Sequence, residues 1–205
     1  MVARWLPLVS AAMFIGVGLV WRAWFQYRRF GHTGLFLFRS GIWSQHARDL
    51  LLPLLSVVAG VQAVAYAMAP ASLASLAIVA PPTAGAWLGL GALLLFGGIG
   101  LMVTAQLQLG ASWRVGIDEA ARPGLVTSGL YRFTRNPIYL ALFVTLAGLL
   151  VVLPTWPMLA VALVSVAAIR NAVLAEERYL RRAYDGEFDT YARRVGRFVP
   201  GLGKL

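Results

Sequence analysis

"NPIYLALFVTLAGLLVVLPTWPMLAVALVSVAAIRNAVLAEERYL", residues 136–180, decides the fold. It holds two apolar runs, Pro137–Leu153 and Pro157–Leu174, joined by "PTWP". So short a link permits only a tight helical hairpin. Each run approaches the ~18–20 residues that a helix needs to cross a hydrocarbon core. Three further runs of that kind precede them, Trp5–Trp24, Leu50–Ala69 and Ala84–Leu107. The predicted fold is all-α: a polytopic membrane protein with five transmembrane helices, the last two a hairpin.

Composition agrees. The chain is 60% hydrophobic and only 13% charged, about half the charge fraction of a soluble domain, and its mean hydropathy is +0.73. The first run is longer than a signal-peptide core and no small-x-small cleavage site follows it, so it reads as a retained span. A net charge of +10 would fit nucleic acid if it were clustered on one surface. Instead the basic residues sit in the connections between spans, where they set topology, and nucleic acid is not an expected partner. With no cysteine, disulfides, thiolate metal sites and a cysteine nucleophile are excluded. His32 and His46 share one connection without local ligand partners, and no metal is expected.

Orientation follows from the arginines. Arg22, Arg28, Arg29, Arg39 and Arg48 lie between the first two runs, and Arg114, Arg122, Arg132 and Arg135 between the third and fourth. Arg170 and the later basic residues lie at or beyond the end of the fifth, while only Arg4 falls on the opposite side. The positive-inside rule places the N-terminus out and the C-terminus in. All eight acidic residues fall on the same cytoplasmic side, so polar chemistry faces the cytoplasm. The segment "GLFLFRSGIW" in the first connection reads as interfacial. In the glycine-rich third run no strand precedes "GLG", which excludes a dinucleotide fingerprint. Gly85 and Gly89, or Gly97 and Gly100, read as helix-packing positions. The tail from Arg178 to Val199 mixes charge with Tyr179, Leu180, Tyr184, Phe188, Tyr191, Val195 and Phe198. That spacing predicts short amphipathic helices on the cytoplasmic face, broken at Gly186.

Two polar clusters flank the hairpin and must emerge at one level. In "LVTSGLYRFTRNPIY", residues 125–139, Pro137 suits the first turn of a helix. The free N–H groups and positive dipole end beside it attract anions. Arg132 and Arg135 either reinforce that or only snorkel as topology determinants. In "RNAVLAEERYL", residues 170–180, Arg170 and Glu177 share a helix face about two turns apart. Glu176 and Glu177 diverge by about 100°, so one can face a pocket while the other meets arginines or water. The bland alternative is a solvated pair such as Glu177 with Arg181. Their position directly after an apolar run favours function.

These two clusters, with "EERYLRRAYDGEFDTYARRVGRFVP" in the tail, resemble the isoprenylcysteine carboxyl methyltransferase family. The resemblance is to its bacterial branch and, more distantly, to phospholipid N-methyltransferases. It covers about residues 107–200 and rests on Gly129 and Tyr131, on Arg135-Asn136-Pro137-Ile138-Tyr139, on Glu176-Glu177, on Tyr191, and on Arg197 to Pro200. The chain thus divides into a three-span region, 1–106, and a methyltransferase-like region, 107–205. One residue departs: Asn136 stands where the eukaryotic enzymes carry histidine, and an asparagine can hydrogen-bond a cofactor but cannot exchange a proton at neutral pH.

The resemblance implies S-adenosylmethionine as cofactor. It implies cofactor contacts from Leu125, Val126, Gly129, Tyr131, Arg135, Asn136, Tyr139, Glu176, Glu177 and Tyr191, with Arg170 and Glu177 in catalytic positions. The expected function is methyl transfer to a lipophilic or small membrane-permeant acceptor, through a carboxylate, amine or thiol. The expected surroundings are membrane lipid, in a bacterial inner membrane. Two other classes stay open: an NADPH-dependent membrane reductase of the sterol-reductase type, with Arg181, Arg182, Arg193 and Arg194 for a 2′-phosphate, and a non-catalytic membrane scaffold. The charge asymmetry makes a direct prediction. A reporter fused at Leu205 should be cytoplasmic and one inserted near Pro81 external, and finding both on one side would refute the five-span topology.

Overall fold

The computed structural model describes residues 2–38, 43–116 and 124–204. Arg39 and Arg122 and the side chain of Arg48, used above for orientation, lie outside the described residues, as does 117–123 of the family-like region. Helices α1 (Leu6–Ile15) and α2 (Arg22–Phe30) are joined by a π-helical segment, Gly16–Trp21. Together with the preceding turn they form one continuous helix, Ala3–Phe30. It stops at Gly31, whose left-handed φ of 78° releases the chain. Then come α3 (Trp43–Met68), α4 (Gly85–Leu109), α5 (Pro137–Val152), α6 (Trp156–Ala183) and α7 (Glu187–Arg194).

Among the described residues the fold is all-helical, with only isolated backbone bridges and no strand. Four helices are long and apolar enough to cross a membrane: Ala3–Phe30, Asp49–Met68, Gly85–Ser112 and Trp156–Ala183. The fifth apolar helix, α5, has 16 residues and spans about 24 Å at 1.5 Å per residue. All five apolar runs are thus helices of a polytopic membrane protein.

One boundary differs from the sequence reading. Helix α6 continues well past Leu174 to Ala183, because "AEERYLRRA" is rich in strong helix formers. The two glutamates therefore stand on the spanning helix itself. The segment after Gly31, read as interfacial from its sequence, is described through Phe38. It bridges the connection after α4, with Val115 N–H donating to Gly34 O (2.8 Å) and Phe36 N–H to Val115 O (2.9 Å).

The glycines of α4 correct a second expectation. Gly85, Gly89, Gly97 and Gly100 face open space. The close approach is at Gly91 and Gly98. Their spacing of seven returns to one face after about two turns, and that face meets α5. A Cβ on Gly91 would sit 2.3 Å from Val152 Cγ1, and one on Gly98 2.3 Å from Thr145 Oγ1 and 3.1 Å from Ala141 O. From the other side, a Cβ on Gly148 would lie 2.8 Å from Leu95 N. Small residues let these two backbones touch, as membrane helices require when lipid and side chains are equally apolar.

The hairpin is as short as predicted and is tied down by polar bonds. Thr155 caps α6 by accepting from Met158 N–H (3.1 Å), and its hydroxyl donates to Gln62 Oε1 of α3 (2.7 Å). Around it Leu95, Leu153, Met158, Val161 and Tyr66 form the main core. Beyond α6, Gly186 adopts φ 74° and breaks the helix where expected. The amphipathic α7 then buries Phe188, Tyr191 and Ala192, with Val195, against Leu125, Leu180 and Tyr184.

The glycine seam can be tested directly. Gly98→Val should destabilise the protein in detergent by about 1–3 kcal/mol, the usual cost of overpacking. Gly97→Ala and Gly100→Ala should leave the melting temperature near wild type. Equal melting temperatures for all three would show that α4 and α5 do not meet at Gly98.

Candidate functional site

The chain enters α5 through Asn136, the residue before Pro137. Just upstream, Gly129 has φ 60° and a Cβ there would lie 2.5 Å from Gln108 Oε1, so only glycine fits. Gln108, near the end of α4, accepts from Leu130 N–H at 2.7 Å. This fixes the short 3-10 turn Gly129–Arg132 and buries Tyr131.

Arg135 uses all five of its donors inside the protein. Nε and Nη2 donate to Glu177 Oε1 (3.1 and 2.8 Å), Nη1 to the carbonyls of Ala192 and Val195, and Nη2 also to Gly203 O (3.0 Å). Glu177 in turn accepts from Arg197 Nη2 (2.8 Å) and Nε. The hydrogen bond to Glu177 holds the Arg197 guanidinium above its ordinary pKa. Asn136 and Thr134 add to the same join, both donating to Arg197 O (3.1 and 3.2 Å). Arg135 and Glu177, expected at the cofactor, are thus engaged with each other and with the tail, and Asn136 with the tail.

Glu176 points elsewhere, as the 100° step along a helix requires. It accepts from the Tyr139 hydroxyl and feels the charge of Arg114, and Tyr131 lies within electrostatic reach of it. The tail completes this side. The Tyr191 hydroxyl donates to Tyr131 O at 2.6 Å, and the Tyr131 hydroxyl reaches Ala105 O at 3.4 Å. Burial raises both phenols above their ordinary pKa, Tyr131 further through Glu176 and Tyr191. Both therefore remain hydroxyl donors through the neutral range.

A cleft of about 540 Å³ opens beside Tyr191, lined by Leu125, Thr127, Arg132, Thr190, Arg194 and Glu187 among others. The structure brings Leu125 and Tyr191 to this cleft, and Tyr131, Tyr139 and Glu176 to the cluster behind Tyr191. Val126 is half-buried in the segment between Leu125 and Gly129. Arg170 is exposed on α6, about 10 Å along the axis from Glu177, with no polar partner among the described residues. Two residues that sequence reasoning passed over are Arg114 and Gln108. Their signal was weak: each is a polar residue at the end of an apolar run, which topology alone explains.

A family model described as phospholipid methyltransferase matches residues 86–187, from the start of α4 to the first residue of α7. The nickel-cobalt-cadmium resistance protein NccN of Alcaligenes xylosoxydans xylosoxydans is 32% identical over 105 residues, which is 51% of this chain and 49% of that protein. The chain spans about half the length of the curated relative it matches.

The Glu177 cluster predicts a defect in the tail. Glu177→Ala leaves Arg135, whose side chain is only 2% exposed, as a buried charge without its carboxylate. Breaking such a pair costs about 3–5 kcal/mol, at the lower end here because Arg197 stays partly exposed. Limited proteolysis should cut between Gly186 and Gly203 in Glu177→Ala and not in wild type. An equally resistant tail would show that the cluster does not hold it.

Proposed function

Because residues 86–187 belong to the phospholipid methyltransferase family, we propose that the chain is an integral-membrane methyltransferase. It takes its methyl group from S-adenosylmethionine and passes it to a lipophilic or small membrane-permeant acceptor. The observation that carries this reading is the environment of Glu176. A carboxylate stands near the C-terminal end of a membrane helix, accepts from the Tyr139 hydroxyl and lies within electrostatic reach of Arg114 and Tyr131, and the tail reaches Tyr131 through the Tyr191 hydroxyl.

The residues present fit that cofactor. Glu176 can accept from an amine or from ribose hydroxyls, and the faces of Tyr131, Tyr139 and Tyr191 suit a sulfonium and an adenine. The Arg114 guanidinium suits a carboxylate. When bound, the cofactor supplies an electrophilic methyl group. The protein's own share is positioning, since an in-line displacement gains most from holding its reactants in line. Asn136 has no proton to exchange at neutral pH, and its side-chain amide already holds Arg197 O. No acid–base step is assigned to it.

Arg170 takes the acceptor side of this reading. An arginine exposed on a membrane helix is costly unless something meets its charge, and the polar head of an acceptor entering between lipid and α6 would do so. The active face is cytoplasmic in this reading, following the arginine distribution of the connections.

Calorimetry on the purified chain in nanodiscs, with S-adenosylhomocysteine and with NADPH, tests the reading. S-adenosylhomocysteine should bind and NADPH should not. Glu176→Gln should weaken that binding about ten- to a hundred-fold, the range of a charged hydrogen bond. Arg170→Ala should keep the affinity within a few-fold while abolishing turnover. Binding of NADPH alone, or full affinity in Glu176→Gln, would overturn the assignment.

A further inference from the structure

Arg22 reads in the sequence as one more topology charge, yet it is completely buried. No carboxylate meets it among the described residues. What it meets is the end of α4: Nη2 donates to Gln106 O and Gly110 O, both at 3.1 Å, and Nη1 to Gln26 Oε1 at 2.6 Å. Gln26 passes the contact on, its Nε2 donating to Ala111 O at 3.2 Å. The guanidinium also lies 4.5 Å from the centroid of the Trp113 ring, itself 1% exposed. The unpaired carbonyls at a helix C-terminus carry partial negative charge, and an aromatic face attracts a cation. Together they stand in for the missing carboxylate.

The first helix is shaped for this contact. Its π-helical segment, Gly16–Trp21, contains Gly18, whose carbonyl accepts from Gln106 Nε2 at 2.9 Å. A Cβ on Gly18 would lie 2.1 Å from Met102 Cε, so the two helices touch there. A π-helical turn inside an α-helix often marks a functional position. Past the helix end, Gly34 packs on the Trp113 ring, where a Cβ would come within 2.7 Å, and Gly34 O accepts from Val115 N–H. Arg114 is therefore gripped on both sides, by Trp113 under Arg22 and by Val115 on residue 34. Arg114 is also a cation within electrostatic reach of Glu176.

We propose that Arg22 is a positioning residue: it fixes the end of α4 and the Trp113–Val115 segment so that Arg114 is held opposite Glu176. This makes the first helix, which lies outside the 86–187 family match, a working part of the site. The inference rests on the methyltransferase reading for its ligand, but the positioning itself can be read without one.

The test is a double-mutant cycle on the full chain in nanodiscs, read by S-adenosylhomocysteine affinity. Arg22→Gln should lower affinity about tenfold in the wild-type background and less than twofold in the Arg114→Gln background, within the range of coupled neighbours. Equal losses in both backgrounds, or no loss in either, would overturn the proposal, because a general structural role adds independently of Arg114. Should Arg22→Gln fail to fold, Gln26→Leu goes through the same cycle, since it removes both the Ala111 contact and the Arg22 acceptor. Hydrogen exchange on the same proteins needs no ligand. Residues 110–116 should exchange faster in the variant while α5 and the 86–100 half of α4 do not. Unchanged exchange there overturns the positioning. Faster exchange in a protein that binds no S-adenosylhomocysteine would leave the positioning standing and the methyl-donor reading alone refuted.

Discussion

A buried guanidinium has five N–H donors to satisfy, and Arg135 satisfies all five within the chain. One side of the fork takes the carboxylate of Glu177 and the rest takes carbonyls of the tail. Glu177 is shared with Arg197, so its oxygens bind two guanidiniums at once. A buried ion pair stabilises only when its remaining donors and acceptors are satisfied, and here backbone carbonyls do that. The result joins three parts of the chain that are far apart in sequence: the entrance to α5, the end of α6 and the tail. Phe143 and Phe198 extend the join with an edge-to-face contact at 5.1 Å. This join adds to the packing of α7 on Leu125, Leu180 and Tyr184, and together they bring the Tyr191 hydroxyl to Tyr131 O.

The second constraint is height. Helix α5 is short, and its glycine seam with α4 sets how deep it sits. Gly148 packs on Leu95, and Gly98 receives Thr145. Since the turn before α5 is bonded to Gln108 of α4, sliding α5 by one helical turn, about 5.4 Å, would pull Leu130 away from its acceptor. The hairpin link fixes α6 against α5 at the other end. Backbone packing therefore brings Tyr139 within hydrogen-bond reach of Glu176.

Much of this was legible in the sequence and some of it could not be. The five apolar runs, the hairpin at "PTWP" and the break at Gly186 all follow from hydropathy, link length and turn chemistry. The register of α4 on α5 does not. A helix that is apolar all round has no polar face, so its sequence carries no phase, and Gly91 and Gly98 looked no different from Gly97 and Gly100. The tail helix was readable because its polar and apolar residues alternate with helical spacing. Arg22 was hidden for a related reason. An arginine at the end of an apolar run is explained by topology alone, and nothing in the linear sequence shows that α4 ends beside it.

The glutamate pair shows the same limit in its sharpest form. Adjacent on one helix, Glu176 and Glu177 have identical chemistry, and the 100° between them says only that they part. Which one meets the arginines depends on where the tail lands, and that depends on Arg135. Once Glu177 is bound by Arg135 and Arg197, its charge is more than compensated and its acceptor sites are largely filled. Glu176 accepts from the Tyr139 hydroxyl and feels the charge of Arg114. On the proposed reading a cationic methyl donor is drawn to the carboxylate whose charge is less compensated. On that reading the arginine cluster does more than fasten the tail: by saturating one carboxylate it selects which of the two is left to the proposed ligand.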